Sequence, residues 1–194
     1  MSVTDRRRRE RAQRHELIIA AARDLAEAEG WEAVTTRRLA ALVEYSQPVL
    51  YSHFAGKEAI VRAVAIEGFA ELAVQLRTAR TSAGEPQAAL RAACAAYLAF
   101  AAARPAVYEA MFVLPTEVKF ASDETPPELR AGFAELVAML QPFTDPSDPR
   151  LGLRAELAWA ALQGLAVLSR GGRIPPAGEA ARLDLLVGQI MGAG

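Results

Sequence analysis

Thr35 to Lys57 reads TTRRLAALVEYSQPVLYSHFAGK, and its punctuation predicts two short helices joined by a tight turn. Thr35 or Thr36 is a natural N-cap for the first, in which Leu39, Ala40, Leu42 and Val43 face inward. Ser46 caps the second. Gln47 and Pro48 follow in its first turn, where the N–H that proline lacks has no helical partner anyway. Gly56 closes this helix. Val49, Leu50 and Phe54 can anchor it, which leaves Gln47, Pro48, Tyr51, Ser52 and His53 on the other side. Arg37 and Arg38 sit in the first turn of the first helix, where the macrodipole disfavours cations by roughly 0.3–1 kcal/mol each. Either an incoming phosphate offsets that cost, or Arg38 pairs with Glu32 or Glu29.

Working outward, residues 1–10 (MSVTDRRRRE) form a polar stretch expected to be a disordered basic arm. Six arginines fall within residues 1–15. Residues 1–62 carry 11 Lys and Arg against 9 Asp and Glu, the remainder 11 against 14. A basic end on a mildly acidic body suits phosphate contact at that end only. From Arg11 to Glu29 a helical stripe appears in Leu17, Ile18, Ala21, Ala22, Leu25 and Ala28. Gly30 ends that helix, and Trp31 can fold back onto it. Beyond the opening stretch, Lys57 and Glu58 start a long helix to about Arg80, with Ile60, Val61, Val64, Phe69, Leu72 and Leu76 inward.

Pro86 opens a fifth helix bearing Leu90, Cys94, Tyr97, Leu98 and Phe100. A short sixth helix holds Val107, Tyr108, Met111 and Phe112, and residues 116–127 read as a mobile loop. The seventh carries Leu129, Phe133, Leu136, Val137 and Leu140. The eighth, from about Arg150 to Ser169, is apolar nearly all round between Leu157 and Leu168. A helix of that kind must be buried all round, which in a chain this small implies a partner on one face. Ala158, Ala161 and Gly164 are small enough for a second helix to come close. A ninth helix carries Leu183, Leu186, Val187 and Ile190. The fold class expected is all-α, about nine helices: an arm at 1–10, a head at 11–57, a connecting helix at 58–80 and a body at 81–194.

The chemistry narrows by exclusion. One cysteine and two histidines make no zinc site at any standard spacing, and Cys94 lies in an apolar helical setting that favours an inert thiol. No Walker loop, dinucleotide fingerprint or nucleophile elbow is present. The expectation is a chain with no cofactor, no metal and no catalytic residues, not an enzyme. No apolar run reaches transmembrane length and no signal-type segment follows the arginines, so a cytoplasmic protein without a membrane partner is expected.

The positive signal is the helix–turn–helix. Such a unit lays the start of its second helix in the major groove of double-stranded DNA. Gln47 is then the best base reader, because its amide both donates and accepts. Pro48 or Val49 can touch a thymine methyl, Tyr51 and His53 reach flanking phosphates, and Lys57 adds a charged contact. The candidate DNA surface is Thr35, Thr36, Arg37, Ser46, Gln47, Pro48, Val49, Tyr51, Ser52, His53 and Lys57. The bland alternative is a helical hairpin in which Tyr51 and Phe54 are core.

With those residues in view, Thr35, Leu39-Ala40, Ser46, Leu50-Tyr51, Phe54 and Gly56-Lys57-Glu58 resemble the DNA-binding domain of the TetR family of regulators. The resemblance covers about residues 12–65. Pro105-Ala-Val-Tyr108, Met111-Phe112 and Trp159 with Gln163-Gly164-Leu165 and Gly172-Arg173 resemble one subclass of that family's C-terminal domain. It implies a homodimeric repressor with a ligand pocket in the body; a dimer would bind a near-palindromic operator, and the aromatic and Met-rich residues of that pocket would suit a small apolar or aromatic effector, of unidentified structure, that releases it. The ligand pocket it implies would be lined by Tyr97, Phe100, Tyr108, Met111, Phe112, Trp159 and Gln163, each of which also reads as ordinary core. The dimer interface would be made by the last two long helices, through Leu157, Ala158, Ala161, Leu165, Leu183, Leu186, Val187 and Ile190. Glu44 stands where the family has glycine, so either it takes a positive φ or the turn is rebuilt. Two other readings stay open: a regulator that is constitutive or controlled by a protein partner, and a helical small-molecule-binding protein or enzyme with a vestigial helix–turn–helix.

Overall fold

The structure, a computed structural model, describes residues 3–145 and 147–192, and every regular element among them is helical. The nine α-helices are α1 (Val3–Glu29), α2 (Thr36–Leu42), α3 (Gln47–His53), α4 (Lys57–Ser82), α5 (Pro86–Ala103), α6 (Pro105–Phe112), α7 (Pro127–Leu140), α8 (Leu151–Arg170) and α9 (Glu179–Gly192). Single 3₁₀ turns occupy Trp31–Ala33 and Gln141–Phe143. The chain forms two compact units. One holds the described residues up to Gly68 together with Arg104–Lys119; the other holds Phe69–Ala103 and the described residues from Phe120 onward.

In the first unit, α1 begins at Val3 rather than Arg11. The expected arm is therefore helical from Val3, while Met1 and Ser2 lie outside the described residues. Arginine is a good helix former, and Glu10 bridges Arg6 (3.6 Å) and Arg14 (3.9 Å) one turn to either side, the spacing that supports an exposed helix. The inward stripe is Ile18, Ile19, Ala22, Leu25 and Ala26. Leu17, expected within it, is 52% exposed. Gly30 stops the helix with φ 82° and ψ 163°, a region only glycine adopts freely. Leu39, Leu50 and Ile60 are fully buried, each contributing about 1.5–3 kcal/mol.

The same unit takes in α6, which the sequence assigns to the body; the boundary at residue 81 is corrected to that extent. The cause is polar. Helix α6 opens with Pro105, and its N-cap residue Arg104 makes no side-chain cap. The orphan N–H groups of Ala106 and Val107 donate instead to the Glu27 carboxylate of α1, at 3.0 and 3.1 Å, a capping anion at the positive end of a helix. Trp31, buried, donates its Nε1–H to the Ala106 carbonyl at 2.8 Å. A Cβ on Gly68 would come within 2.5 Å of Val107 Cγ1 and 2.7 Å of Met111 Sδ, so only glycine lets α6 sit this close to α4.

The second unit packs α7, α8 and α9 around α5. Leu90, Cys94, Tyr97 and Phe100 of α5 are buried, and burial pushes the Cys94 thiol up to about 12. Glu135 of α7 is buried between Arg77 (2.7 Å) and Arg80 (2.8 Å) of α4. Burial works against its charge, but the two guanidiniums outweigh it and hold the carboxyl below its ordinary range. Arg154 donates to the carbonyls of Phe143 (3.3 Å) and Ile190 (3.0 Å), pinning the end of α9.

Helix α8 departs from expectation in one respect. It is long and apolar enough to cross a membrane by length and composition, with a mean hydropathy of 1.3, where the sequence reading expects no such run. Within this chain it is buried on one side and exposed on the other. Ala155, Ala158, Leu162 and Ala166 are buried, but Leu153 (59%), Leu157 (71%), Val167 (41%) and Leu168 (37%) are exposed.

Candidate nucleic-acid interface

Helices α2 and α3 are built by local capping. Thr35 is the N-cap of α2, its Oγ1 accepting from the Arg38 N–H at 3.2 Å. Leu39 and Ala40 are buried, Val43 is half-buried, and Leu42 is 57% exposed, so its inward assignment is corrected. The turn keeps its standard form. Glu44 sits at φ 56°, with Val43 N–H bonded to Leu39 O and Tyr45 N–H to Ala40 O, both at 2.9 Å. The Tyr45 bond is the 6→1 contact of a Schellman-type closure, with a glutamate in the left-handed position at a cost of roughly 1–2 kcal/mol. Ser46 precedes α3 as expected, but its hydroxyl makes no cap bond; its carbonyl accepts from Val49 and Leu50.

Leu50 and Phe54 are buried and hold α3 in place. Gln47, Pro48, Tyr51 and Ser52 are exposed along one side, with Ser46 ahead of them and Val49 half-buried. Tyr51 is 54% exposed, which removes the core role for it and keeps that role for Phe54. The Ser52 hydroxyl donates to the Val49 carbonyl at 2.7 Å, leaving its oxygen able to accept. Gln47 in the first turn is thus presented outward on a short helix fixed from behind.

The charged surroundings separate by role. Arg38 forms two bonds of 2.8 Å to the Glu29 carboxylate, which lowers the Glu29 carboxyl and raises the Arg38 guanidinium. Of the two readings of Arg38, internal pairing is the one observed. Arg37 and Thr35 are exposed and Thr36 is half-buried. Lys57 is half-buried, and its ammonium donates to the Trp31 carbonyl at 2.5 Å, so one of its three protons is already committed to closing the head.

Two residues outside the sequence-derived set belong here. Arg11 of α1 donates to the Ser52 carbonyl at 3.2 Å. His15 stacks on Phe54 with ring centroids 4.3 Å apart and lies 6.1 Å from the half-buried His53 ring. Burial first, then the charges of Arg11, His15 and Arg14, hold His53 below the ordinary histidine value. A signal for both was present: continuing the Ala22–Ile18/Ile19 stripe toward the N-terminus at helical spacing passes through His15 and Arg11.

The other expected sites divide between the units. Tyr97, Phe100, Trp159 and Gln163 lie in the second unit, Tyr108, Met111 and Phe112 in the first. The latter three belong to the α6 packing, Met111 against Gly68 and Tyr108 against Phe112 at 4.8 Å. In the second unit, Trp159 Nε1–H donates to Tyr97 Oη (3.1 Å) and Tyr97 O–H donates to Gln163 Oε1 (2.7 Å). The partner sought for the Gln163 amide oxygen is therefore a tyrosine of the same chain. Of the expected interface residues, Leu157 is exposed, and Ala161 and Leu165 are half-buried. Ala158, Leu183, Leu186, Val187 and Ile190 are buried against their own unit, because each lies on the core side of its helix. Among the described residues no three His, Cys, Asp or Glu side chains group as metal ligands.

Comparison with known proteins bears on both parts of the chain. Residues 18–64 match the family model for bacterial regulatory proteins of the tetR family. Residues 90–190 match the model for the tetracyclin repressor-like C-terminal domain. No curated protein sequence matches significantly. Among solved structures, a protein of unknown function from Rhodococcus sp. RHA1 is 22% identical, with a TM-score of 0.76 over 92% of this chain and 94% of that one. The fatty acid degradation regulator FadR from Bacillus halodurans is 13% identical, with a TM-score of 0.64 over 92% and 94%. The TetR family transcriptional regulator PfmR from Thermus thermophilus is 19% identical, with a TM-score of 0.57 over 90% and 96%. These likenesses concern the fold. With the matched domains spanning the helix–turn–helix and most of the second unit, the chain belongs to the TetR family of DNA-binding transcriptional regulators.

Proposed function

We propose that the chain acts as a cytoplasmic homodimeric repressor that binds a near-palindromic operator through two copies of α3 and is released by a small apolar or aromatic ligand. The observation that carries this reading is the outward face of α3. Gln47, Pro48 and Tyr51 are exposed together at the start of a helix whose opposite side is fixed by Leu50 and Phe54. Gln47 reads base edges, Pro48 and Val49 add apolar contact, and Ser46, Tyr51, Ser52 and His53 take phosphates on either side. Thr35, Thr36 and Arg37 at the start of α2 continue the phosphate contacts, and Lys57 contributes with the protons that Trp31 leaves it.

Dimerisation is supported by Leu153, Leu157, Val167 and Leu168, an apolar face on α8 that a second copy would cover. In this reading, the apolar length of α8 serves subunit contact and not lipid. Effector binding is centred on Tyr97, Trp159 and Gln163, three polar atoms in sequence within an otherwise apolar set of helices. A ligand that exchanges hydrogen bonds with them would bias the unit between two states by its differential affinity.

A second reading, a regulator without a small effector, is favoured by those same bonds, since the Gln163 oxygen is already satisfied. Selection of binding sites from random DNA, followed by a compound screen for release, tests both. An enriched inverted repeat and a releasing compound support the first reading. An enriched repeat that no compound releases, with Tyr97→Phe and Gln163→Leu variants still repressing a reporter, favours the second. No enrichment at all contradicts operator binding.

A further inference from the structure

Both histidines of the chain meet where α1 runs beside α3. Their rings are 6.1 Å apart at 43°, and the Arg11 guanidinium is held on the last turn of α3 by its 3.2 Å bond to the Ser52 carbonyl. Arg14 faces the same corner and lies 3.9 Å from Glu10. The groups acting on the charge of His53 are Arg11, His15 and Arg14, all from α1. From the other elements of this unit, Lys57 is turned onto the Trp31 carbonyl, Arg38 is paired with Glu29, and Glu58 and Arg37 are exposed. Two arginines and two imidazoles thus converge at one edge of the recognition helix, and every group acting on His53 is cationic or becomes so on protonation.

We infer that this corner is a site for a DNA backbone phosphate, and that filling it draws a proton onto His53. The inference rests on the reading that α3 docks on DNA. In the free protein, burial and then the neighbouring Arg11, His15 and Arg14 hold His53 below the ordinary histidine value. An arriving phosphate cancels that repulsion and accepts hydrogen bonds from the rings and from Arg11. The complex then holds more protons than the free protein. Affinity gains from this term fully below the free-state pKa and loses it as pH rises through the higher, bound-state pKa. Arg7, one turn before Arg11 and exposed, extends the same face along the backbone.

The test is binding of the full-length protein to a mixed-sequence duplex of about three helical turns, followed by fluorescence anisotropy at low, fixed ionic strength from about pH 8 to about pH 5.5. The dissociation constant should tighten by up to about tenfold per pH unit for each proton taken up. His53→Gln should flatten that slope. His15→Phe, which retains the stack on Phe54, should reduce it, with thermal melts verifying that both variants fold. Ring-proton NMR on the wild type should find the His53 pKa higher with duplex than without. An unaltered slope in both variants, or identical histidine pKa values in free and bound protein, would overturn the inference while leaving DNA docking intact. Failure to bind any duplex would overturn the docking itself, and this inference with it.

Discussion

Helices α3 and α8 both leave large side chains outside, and the two faces have opposite chemistry. On α3 the exposed residues are Gln47, Pro48, Tyr51 and Ser52; on α8 they include Leu153, Leu157, Val167 and Leu168. A mixed polar face with a bidentate amide and a nearby basic edge is stable in water and suits a polar, negatively charged groove. A row of leucines is costly in water and suits another apolar surface. On the proposed function, one chain carries a face for DNA and a face for a second copy.

Substitutions should separate the two faces. Leu157→Glu places a charge in the middle of the α8 stripe and should weaken self-association by at least about 2 kcal/mol, measured by sedimentation equilibrium. If Leu157→Glu leaves the mass distribution unaltered, α8 is not the dimer surface. Gln47→Ala should leave association intact and relax base preference by about 1–3 kcal/mol at one position per half-site, read by repeating the site selection. An identical selected motif removes Gln47 as the reader. Glu44→Gly relieves the left-handed glutamate and should raise stability by about 1 kcal/mol, checked by urea unfolding. No gain there would mean that the glutamate is not strained.

The pH dependence of stability offers a control at a residue that belongs to neither face. Glu135 has a depressed carboxyl in the folded protein, so its contribution is present above the unfolded carboxylate pKa and is lost as pH falls through the folded one. Glu135→Gln should therefore narrow the loss of stability on acidification without altering the DNA motif. An unaltered acid dependence would contradict the role given to Arg77 and Arg80.

What can be read from sequence follows from how local each signal is. Gly30, Thr35, Ser46, Pro86 and Pro105 mark helix ends because caps and breakers act on their own backbone. The inward stripe of α4 is legible for the same reason, Ile60 to Leu76 repeating at helical spacing. The place of α6 is not: Glu27 and Trp31 reach Ala106 across 79 and 75 positions, and nothing near residue 106 signals a carboxylate from α1. The start of α1 is easily misread because a run of arginines looks like a solvated arm until Glu10 is seen to bridge Arg6 and Arg14. On α8 and α9 the pattern identifies the apolar residues but not which side the fold uses, so Leu183, Leu186, Val187 and Ile190, which the resemblance gives to a dimer interface, are buried within their own unit. Within the candidate DNA surface, Gln47, Pro48 and Tyr51 are legible from helical spacing alone, whereas for Arg11 and His15 the spacing gives only their side of α1, and the crossing of two helices brings them to α3.

Hydrogen–deuterium exchange of the full-length protein, with and without the selected duplex, addresses the contrast between α3 and α8 most directly. The account predicts that duplex slows exchange in Gln47–His53 and the adjoining turn of α1 around Arg11, while Leu151–Arg170 exchanges alike in both states. Slowing confined to α8, with α3 unaffected by DNA, would contradict it.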